Sequence, residues 1–157
     1  MKEHNELIEV TKNRIQKRYR HLSKWARGQG AHYFRVFDRD IPGVPVMIDS
    51  LPKHWLIWVC DHSLNPDDET SLLSNIQAAL IALKDAKVIV KHRKKKHAIK
   101  QSHFQVDEET IVDEGGLKFQ LNLTRYLDTG LFIDHRNTRD YLKTAAKGQR
   151  VLNLFAY

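Results

Sequence analysis

The pattern of apolar and polar positions predicts three short β-strands in the first half of the chain, followed by a helix and a fourth strand. The strands, over residues 32–38, 44–50 and 54–61, carry β-branched and aromatic residues and are separated by short turns. Apolar residues at helical spacing between 72 and 83 predict the helix, which Asn65-Pro66 and the acids after it typically start. With a strand over 87–93, this order predicts a small, mostly antiparallel α+β domain.

A basic amphipathic helix is predicted ahead of these strands. Its apolar stripe recurs at helical spacing and comprises Ile8, Ile15, Tyr19, Leu22 and Ala26. Basic residues occupy the other faces, and Gly28 and Gly30 are typical of a helix end. A stripe of this kind faces a protein core more readily than a membrane.

The second half of the chain predicts a β-hairpin, a helix and a last strand. Strands are expected over 102–106, 110–113 and 117–124, with Gly115-Gly116 as a hairpin turn. The nearly perfect alternation over 117–123 predicts one buried face. Residues 134–146 have helical character, and residues 151–155 are typical of a buried parallel strand. If such a strand is left exposed, we expect it either to fray or to pack against a second copy of the chain.

The charge of the chain favours a polyanionic partner. Its 157 residues include 26 Lys+Arg and 19 Asp+Glu, which gives a net charge of +7. The cations concentrate on the first helix and in the run from His92 to Gln101, which predicts RNA contacts made through phosphates. The candidate residues are Arg14, Lys17, Arg18, Lys24, Arg93, Lys94, Lys95, Lys96 and Lys100. The alternative is that both clusters are solvated surface.

Several classes of protein are excluded or disfavoured by composition. No apolar run approaches the ~20 residues that span a bilayer, and the first residues do not resemble a secretory signal. The single cysteine, Cys60, excludes an intrachain disulfide and a multi-thiolate zinc site. These features predict a cytoplasmic protein without a metal site. No catalytic side chain is predicted. Asp134-His135-Arg136 could suggest acid–base chemistry, and the alternative interpretation is that Asp134 caps the helix that follows it.

One block of the sequence carries a specific resemblance. Asn122-Leu123-Thr124 and the stretch YLDTGLFIDHR, from Tyr126 to Arg136, closely resemble the bacterial ribosomal RNA large subunit methyltransferase K/L family. The similar region lies just ahead of the catalytic domain in the K half of that family. Residues 13–17 and 33–42 look like the beginning of this half, and residues 151–157 look like the first strand of its S-adenosylmethionine-binding fold.

The resemblance implies an S-adenosylmethionine-dependent transfer of a methyl group to guanine N7 of 23S rRNA. It makes Phe132, Asp134, Arg136, Asn153 and Phe155 the candidate cofactor-binding residues. Guanine N7 carries a lone pair and no proton, so the reaction needs alignment of donor and base rather than a general base. Arg125 departs from the family pattern, in which an acidic residue is expected.

The resemblance divides the chain into four segments. These are a basic helix (1–30), a small α+β accessory domain (31–100), a hairpin and linker (101–133) and the truncated start of the methyltransferase domain (134–157). We expect this chain alone to be inactive and not to bind S-adenosylmethionine tightly, because the glycine-rich turn after the first strand is missing. The alternative function is a free-standing, non-catalytic RNA-binding module from a shortened gene.

Overall fold

The computed structural model describes residues 2–60, 64–93 and 107–152, with side chains from residue 4 onward. The elements are α1 (Lys2–Gly28), β1 (Phe34–Asp38), β2 (Val46–Ser50), β3 (His54–Val59), α2 (Pro66–Leu83), β4 (Lys87–His92), β5 (Glu109–Glu114), β6 (Leu117–Asn122), a 3₁₀ turn (Ile133–His135) and α3 (Arg136–Ala145). The predicted α+β class and the β-β-β-α-β order are confirmed. In the part of the chain that the structure describes, none of the helices has both the length and the apolar character needed to cross a bilayer.

The first four strands form one sheet in the order β1-β2-β3-β4. β1 pairs with β2 and β2 with β3 in antiparallel fashion, as the short turns between them require. β4 pairs with β3 in parallel, because α2 returns the chain to the starting edge of β3 before β4 begins. The sheet is therefore mixed, with a single parallel pair.

Helices α1 and α2 cover one face of this sheet. The predicted stripe of α1 faces the core, where Ile8, Ile15 and Ala26 are buried and Tyr19 packs edge-on against Trp55 at 5.0 Å between ring centroids. Trp55 is fully buried. α1 belongs to the same core as the sheet, and the proposed boundary at residue 30 stays a prediction.

The β5–β6 hairpin covers the opposite face. Leu121 and Leu123 are buried against Leu56, Trp58 and Ile89 of the sheet. Since successive strand residues point to opposite faces, every residue of β3 is buried, with alternate side chains in the two cores. The sheet is thus a central layer rather than a surface.

The hairpin turns at Gly115-Gly116, as predicted from the sequence. Both glycines have positive φ, at 59° and 82°, which the favoured two-residue hairpin turn requires. An antiparallel bridge between Ala31 and Glu114 joins the hairpin to the chain that leaves α1. Gly30 has φ 59°, and its carbonyl accepts a hydrogen bond from the Gly115 amide at 3.2 Å.

The structure differs from two expectations for the second half of the chain. A 3₁₀ turn occupies 133–135, and α3 begins at Arg136 without a side-chain cap, so the interpretation of Asp134 as a helix cap is wrong. The predicted strand over 102–106 lies outside the described residues. Val151 and Leu152 lie in no strand and are exposed, and residues 153–155 also lie outside the described part.

Candidate functional site

The segment after the hairpin, residues 129–132, lies against the sheet face that the hairpin covers. Thr129 and Leu131 are buried, and Gly130 between them has φ 88°, a conformation suited to glycine. The Thr129 hydroxyl lies 3.4 Å from the Tyr33 hydroxyl. These contacts attach the block that carries the family resemblance to the accessory sheet.

Tyr33 connects this segment to a buried carboxylate in the middle of the sheet. Asp49 is fully buried and accepts hydrogen bonds from Tyr33 Oη at 3.3 Å, Trp58 Nε1 at 2.9 Å, and Arg35 Nε and Nη2 at 2.8 and 3.2 Å. Burial is expensive for a charge unless partners surround it, as they do here. Burial, together with the nearby Asp49 charge, raises the pKa of Tyr33 far above its usual value, so its hydroxyl stays protonated.

The three described cofactor candidates are placed differently. Phe132 is 56% exposed and Asp134 is also exposed, so both side chains are accessible to a ligand. Arg136 is instead engaged within the protein: its Nη2 donates to the Tyr33 carbonyl at 2.6 Å and its guanidinium lies over the Trp25 ring. Asn153 and Phe155 lie outside the described residues.

Glu114, at the end of β5, holds α3 in place. Its carboxylate accepts hydrogen bonds from Arg136 Nε at 3.0 Å and from Arg139 Nε and Nη2 at 2.7 and 2.9 Å. Burial alone raises the pKa of Glu114, but the hydrogen bonds from the two arginines outweigh it and hold the pKa below the usual value. Arg139 Nη1 also donates to the Phe132 carbonyl at 2.7 Å, which fixes the backbone beside the exposed ring.

A cleft of about 110 Å³ lies between the hairpin turn and α3. Its walls include Gln29 from the end of α1, Leu117 from β6, and Arg139 and Lys143 from α3. Lys143 Nζ donates to the Gly115 carbonyl at 2.6 Å, so its cation closes one side of the cleft. Among the described residues, no three His, Cys, Asp or Glu side chains are grouped to hold a metal ion.

The RNA-binding candidates on α1 fall into two groups. Arg14, Lys17 and Lys24 are exposed, and within the described chain they form no ion pair. Arg18 donates to the Val36 carbonyl at 2.8 Å and pairs with Asp40 at 3.3 Å, so it links α1 to the sheet. Only the first group leaves its charges for a partner.

The second basic cluster begins at the end of β4. Arg93 lies over the Trp58 ring at 5.2 Å and pairs with Asp128 at 3.3 Å, so two contacts within the protein already engage its guanidinium. The remaining candidates, Lys94, Lys95, Lys96 and Lys100, lie outside the described residues.

The sequence interpretation missed Lys91, which is 3% exposed on the same sheet face as Trp58. Its Nζ donates to the Tyr126 carbonyl and lies 4.8 Å from the centre of the Trp58 ring. Burial lowers the pKa of Lys91 to about 8, against a smaller opposite effect of Asp128. The alternation of β4 carries the signal for this burial, because Lys91 falls on the same face as the buried Ile89.

Comparison with known proteins identifies related chains. A family model described as S-adenosylmethionine-dependent methyltransferase matches residues 69–157. Two proteins named ribosomal RNA large subunit methyltransferase K/L, from Stutzerimonas stutzeri and a Shewanella species, are 38% and 39% identical over 92% of this chain. The alignment covers 21% of each relative, so the chain spans about a fifth of the length of these curated relatives.

Solved structures show a similar fold. A putative methyltransferase in complex with SAH matches 86% of this chain and 35% of its own, with a TM-score of 0.63 and 19% identity. A putative SAM-dependent methyltransferase from Streptococcus mutans matches the same shares, with a TM-score of 0.61 and 18% identity. At these identities the similarity establishes the arrangement of helices and strands alone.

Proposed function

Because the chain belongs to the S-adenosylmethionine-dependent methyltransferase family, we propose that it forms the part of an rRNA methyltransferase that supports the cofactor site. The observation that carries this proposal is the mounting of residues 129–134. Thr129 and Leu131 are buried against the accessory sheet, whereas Phe132 and Asp134 beside them are exposed. A rigidly held segment with two exposed side chains is suited to form one edge of a binding site.

The proposed reaction is methyl transfer to guanine N7 of large subunit rRNA. The names of the two curated relatives support rRNA as the substrate class. S-adenosylmethionine supplies an electrophilic methyl group when it is bound. Phe132 offers an apolar surface and Asp134 a hydrogen-bond acceptor toward it, while the Glu114–Arg139 contact keeps the Phe132 backbone in position. The N7 lone pair needs no deprotonation, so these residues contribute orientation rather than proton transfer.

This chain alone is proposed not to bind the cofactor tightly. A cofactor crevice of the doubly wound type lies outside the carboxyl ends of parallel strands. The described sheet has one parallel pair, and both of its faces are covered, by α1 and α2 on one side and the hairpin on the other. The described residues therefore supply an edge of the site and not its floor.

Calorimetry with S-adenosylmethionine tests this division. The 157-residue chain should show no saturable binding at micromolar cofactor. Binding in that range would correspond to a free energy of about −8 kcal/mol. The same chain joined to the residues that follow the matched region in the Stutzerimonas relative should bind, and Phe132→Ala and Asp134→Asn should weaken that binding. Asp85→Asn, an exposed carboxylate beyond α2, serves as the control. Unchanged affinity in both site variants would contradict the proposed edge.

RNA contacts are proposed for the exposed cations of α1. Arg14, Lys17 and Lys24 extend along this helix and within the described chain have no carboxylate partner. Phosphate contacts of this kind position a protein on RNA without reading its sequence. The free-standing RNA-binding module remains the second candidate function, and it rests on the same three cations.

Salt-dependent binding tests the RNA contacts. Replacing Arg14, Lys17 and Lys24 together by Ala should flatten the slope of log affinity against log salt by up to ~3 units, if each contacts one phosphate. A triple replacement of Lys53, Lys118 and Lys147, which are also exposed, removes the same charge as a control. Equal slopes in the two variants would assign the effect to net charge alone. If the chain extended with the downstream residues bound RNA but never bound S-adenosylmethionine, that result would favour the free-standing RNA-binding module.

A further inference from the structure

We propose that Tyr126 is a stacking platform for an unpaired base of RNA, with Arg125 and Arg93 beside it to receive the neighbouring phosphates. This inference rests on the proposed RNA contacts and adds a specific aromatic residue to them. Unpaired bases in RNA are commonly bound by stacking on aromatic side chains and guanidinium planes. Each stacked base contributes about 1–3 kcal/mol, so one suitable ring produces a measurable effect.

The ring of Tyr126 is presented to solvent rather than packed into a core. The residue is 59% exposed, and in the described part of the chain no other aromatic ring contacts it. The Arg125 guanidinium lies 5.5 Å from the ring centroid, which is a cation–π distance. A tyrosine with a guanidinium on one side and an exposed surface on the other offers the combination that single-stranded nucleic acid uses.

The backbone that carries this ring is held from both sides. The Tyr126 carbonyl accepts a hydrogen bond from Lys91 Nζ, whose own side chain is buried against Trp58. The Arg125 amide donates to Asn122 Oδ1 at 2.6 Å. Because the backbone is ordered before any ligand arrives, binding on the ring loses less conformational entropy. Lys91 acts here as a positioning residue and does not itself meet the ligand.

Each flanking arginine lies over an aromatic ring, Arg93 over Trp58 and Arg125 over Tyr126 itself, and forms one exposed ion pair. Arg93 Nη2 lies 3.3 Å from Asp128, and Arg125 Nη1 lies 3.6 Å from Asp107. Exposed pairs contribute little stability and are readily exchanged for a phosphate. Both ends of the basic stretch that separates β4 from β5 in the sequence therefore meet the Tyr126 segment, at Arg93 and at Asp107. Among the described groups here, Lys91, Arg93 and Arg125 outnumber Asp107 and Asp128, and this positive excess favours RNA over an apolar protein partner for the exposed ring.

The experiment compares two RNAs of equal length by fluorescence anisotropy, a hairpin with an unpaired loop and a blunt duplex. Tyr126→Ala should weaken binding of the loop RNA about 5- to 150-fold, the range expected for one lost stack, and should change duplex binding far less. Its salt slope should equal that of the wild type, because no ionic contact is removed. Tyr126→Phe keeps the ring and should bind like the wild type.

Tyr141 provides the matched control, since it is a 70% exposed tyrosine on α3. Tyr141→Ala should leave both affinities unchanged, and near-UV circular dichroism checks that each variant is folded. Wild-type affinity of Tyr126→Ala for both RNAs, or an equal loss on both, overturns the stacking role and leaves the ring to a protein contact. Absence of salt-dependent RNA binding in the wild type overturns the proposed function as well, which separates the two failures.

Discussion

Replacing Asp49 with alanine should destabilise the fold more than any single surface substitution in this chain. The carboxylate is fully buried and accepts hydrogen bonds from Arg35, Trp58 and Tyr33. Alanine leaves the indole N–H without a partner, the phenol with the Thr129 hydroxyl alone, and the guanidinium with the more exposed Asp38 carboxylate as its remaining counter-charge. The loss therefore combines a broken buried ion pair with one unsatisfied donor, the Trp58 indole.

The magnitude follows from the burial of each partner. Breaking a buried ion pair costs about 3–5 kcal/mol. The Arg35 side chain is 29% exposed, so water partly restores the solvation of its charge and moves the ionic part below that range. The Trp58 donor adds about 1–3 kcal/mol when left unpaired, and the Tyr33 hydroxyl adds little because it keeps the Thr129 hydroxyl. We expect a net loss of about 3–5 kcal/mol, a large share of the 5–15 kcal/mol typical of a domain.

Urea denaturation followed by tryptophan fluorescence measures this loss, because Trp58 lies in the affected cluster. With a slope of about 2 kcal/mol per molar urea, the midpoint should fall by about 1.5–2.5 M. Asp38→Asn is the control, since Asp38 pairs with the same Arg35 at 3.1 Å but is 38% exposed, and it should cost below about 1 kcal/mol. Asp49→Asn keeps the shape of the side chain, and its loss of stability should fall between those of Asp49→Ala and Asp38→Asn. A loss below 1 kcal/mol in both Asp49 variants would refute the reasoning.

Three further predictions concern other contacts. The pKa of Lys91 is about 8, below the ordinary 10.5, so between these values the unfolded chain binds more protons than the folded one and stability rises with pH. Urea titrations at about pH 7.5 and about pH 9.5 measure this rise, and it should be smaller in Lys91→Met by the contribution of that lysine. Glu114→Gln should speed hydrogen exchange in α3 about tenfold or more while leaving β3 protected, because the two arginines lose their counter-charge. Asn65→Ala should cost about 1 kcal/mol in thermal unfolding, since its side chain accepts from the Asp68 amide at 2.9 Å, and an unchanged midpoint would contradict that cap.

Local pattern was sufficient for most of the accessory fold. The β-branched and aromatic runs of β2 and β3, the apolar stripe of α1 and the Gly115-Gly116 turn each depend on neighbours in sequence, and all three are confirmed. β5 shows where pattern is ambiguous: Ile111 and Val112 are adjacent and apolar, yet only Val112 is buried and Ile111 is 62% exposed. The choice between them is made by the sheet that the hairpin covers, which lies far away in the sequence.

The candidate site depended more on long-range contacts. The resemblance identified the segment around Phe132, but Arg136 could not be assigned to Glu114 from sequence, because 22 residues and a hairpin separate them. Arg18 looked like the other cations of α1 until the structure placed it against Val36 and Asp40. Tyr126 gave no periodic signal at all, since it lies outside any regular element. Side chains that pair across elements are therefore the ones that sequence pattern could not place.

The two-sided sheet also has a consequence for synthesis on the ribosome. The helical face is complete once β4 has emerged, but its opposite face waits for the hairpin, about 30 residues later in the chain. At about 5–20 residues per second, Leu56, Trp58 and Ile89 remain uncovered for about 2–6 s on the nascent chain. Asp49, Arg35 and Lys91 share that uncovered face, and their charges oppose premature association there. The groups that are buried in the folded chain should therefore keep this face soluble during synthesis.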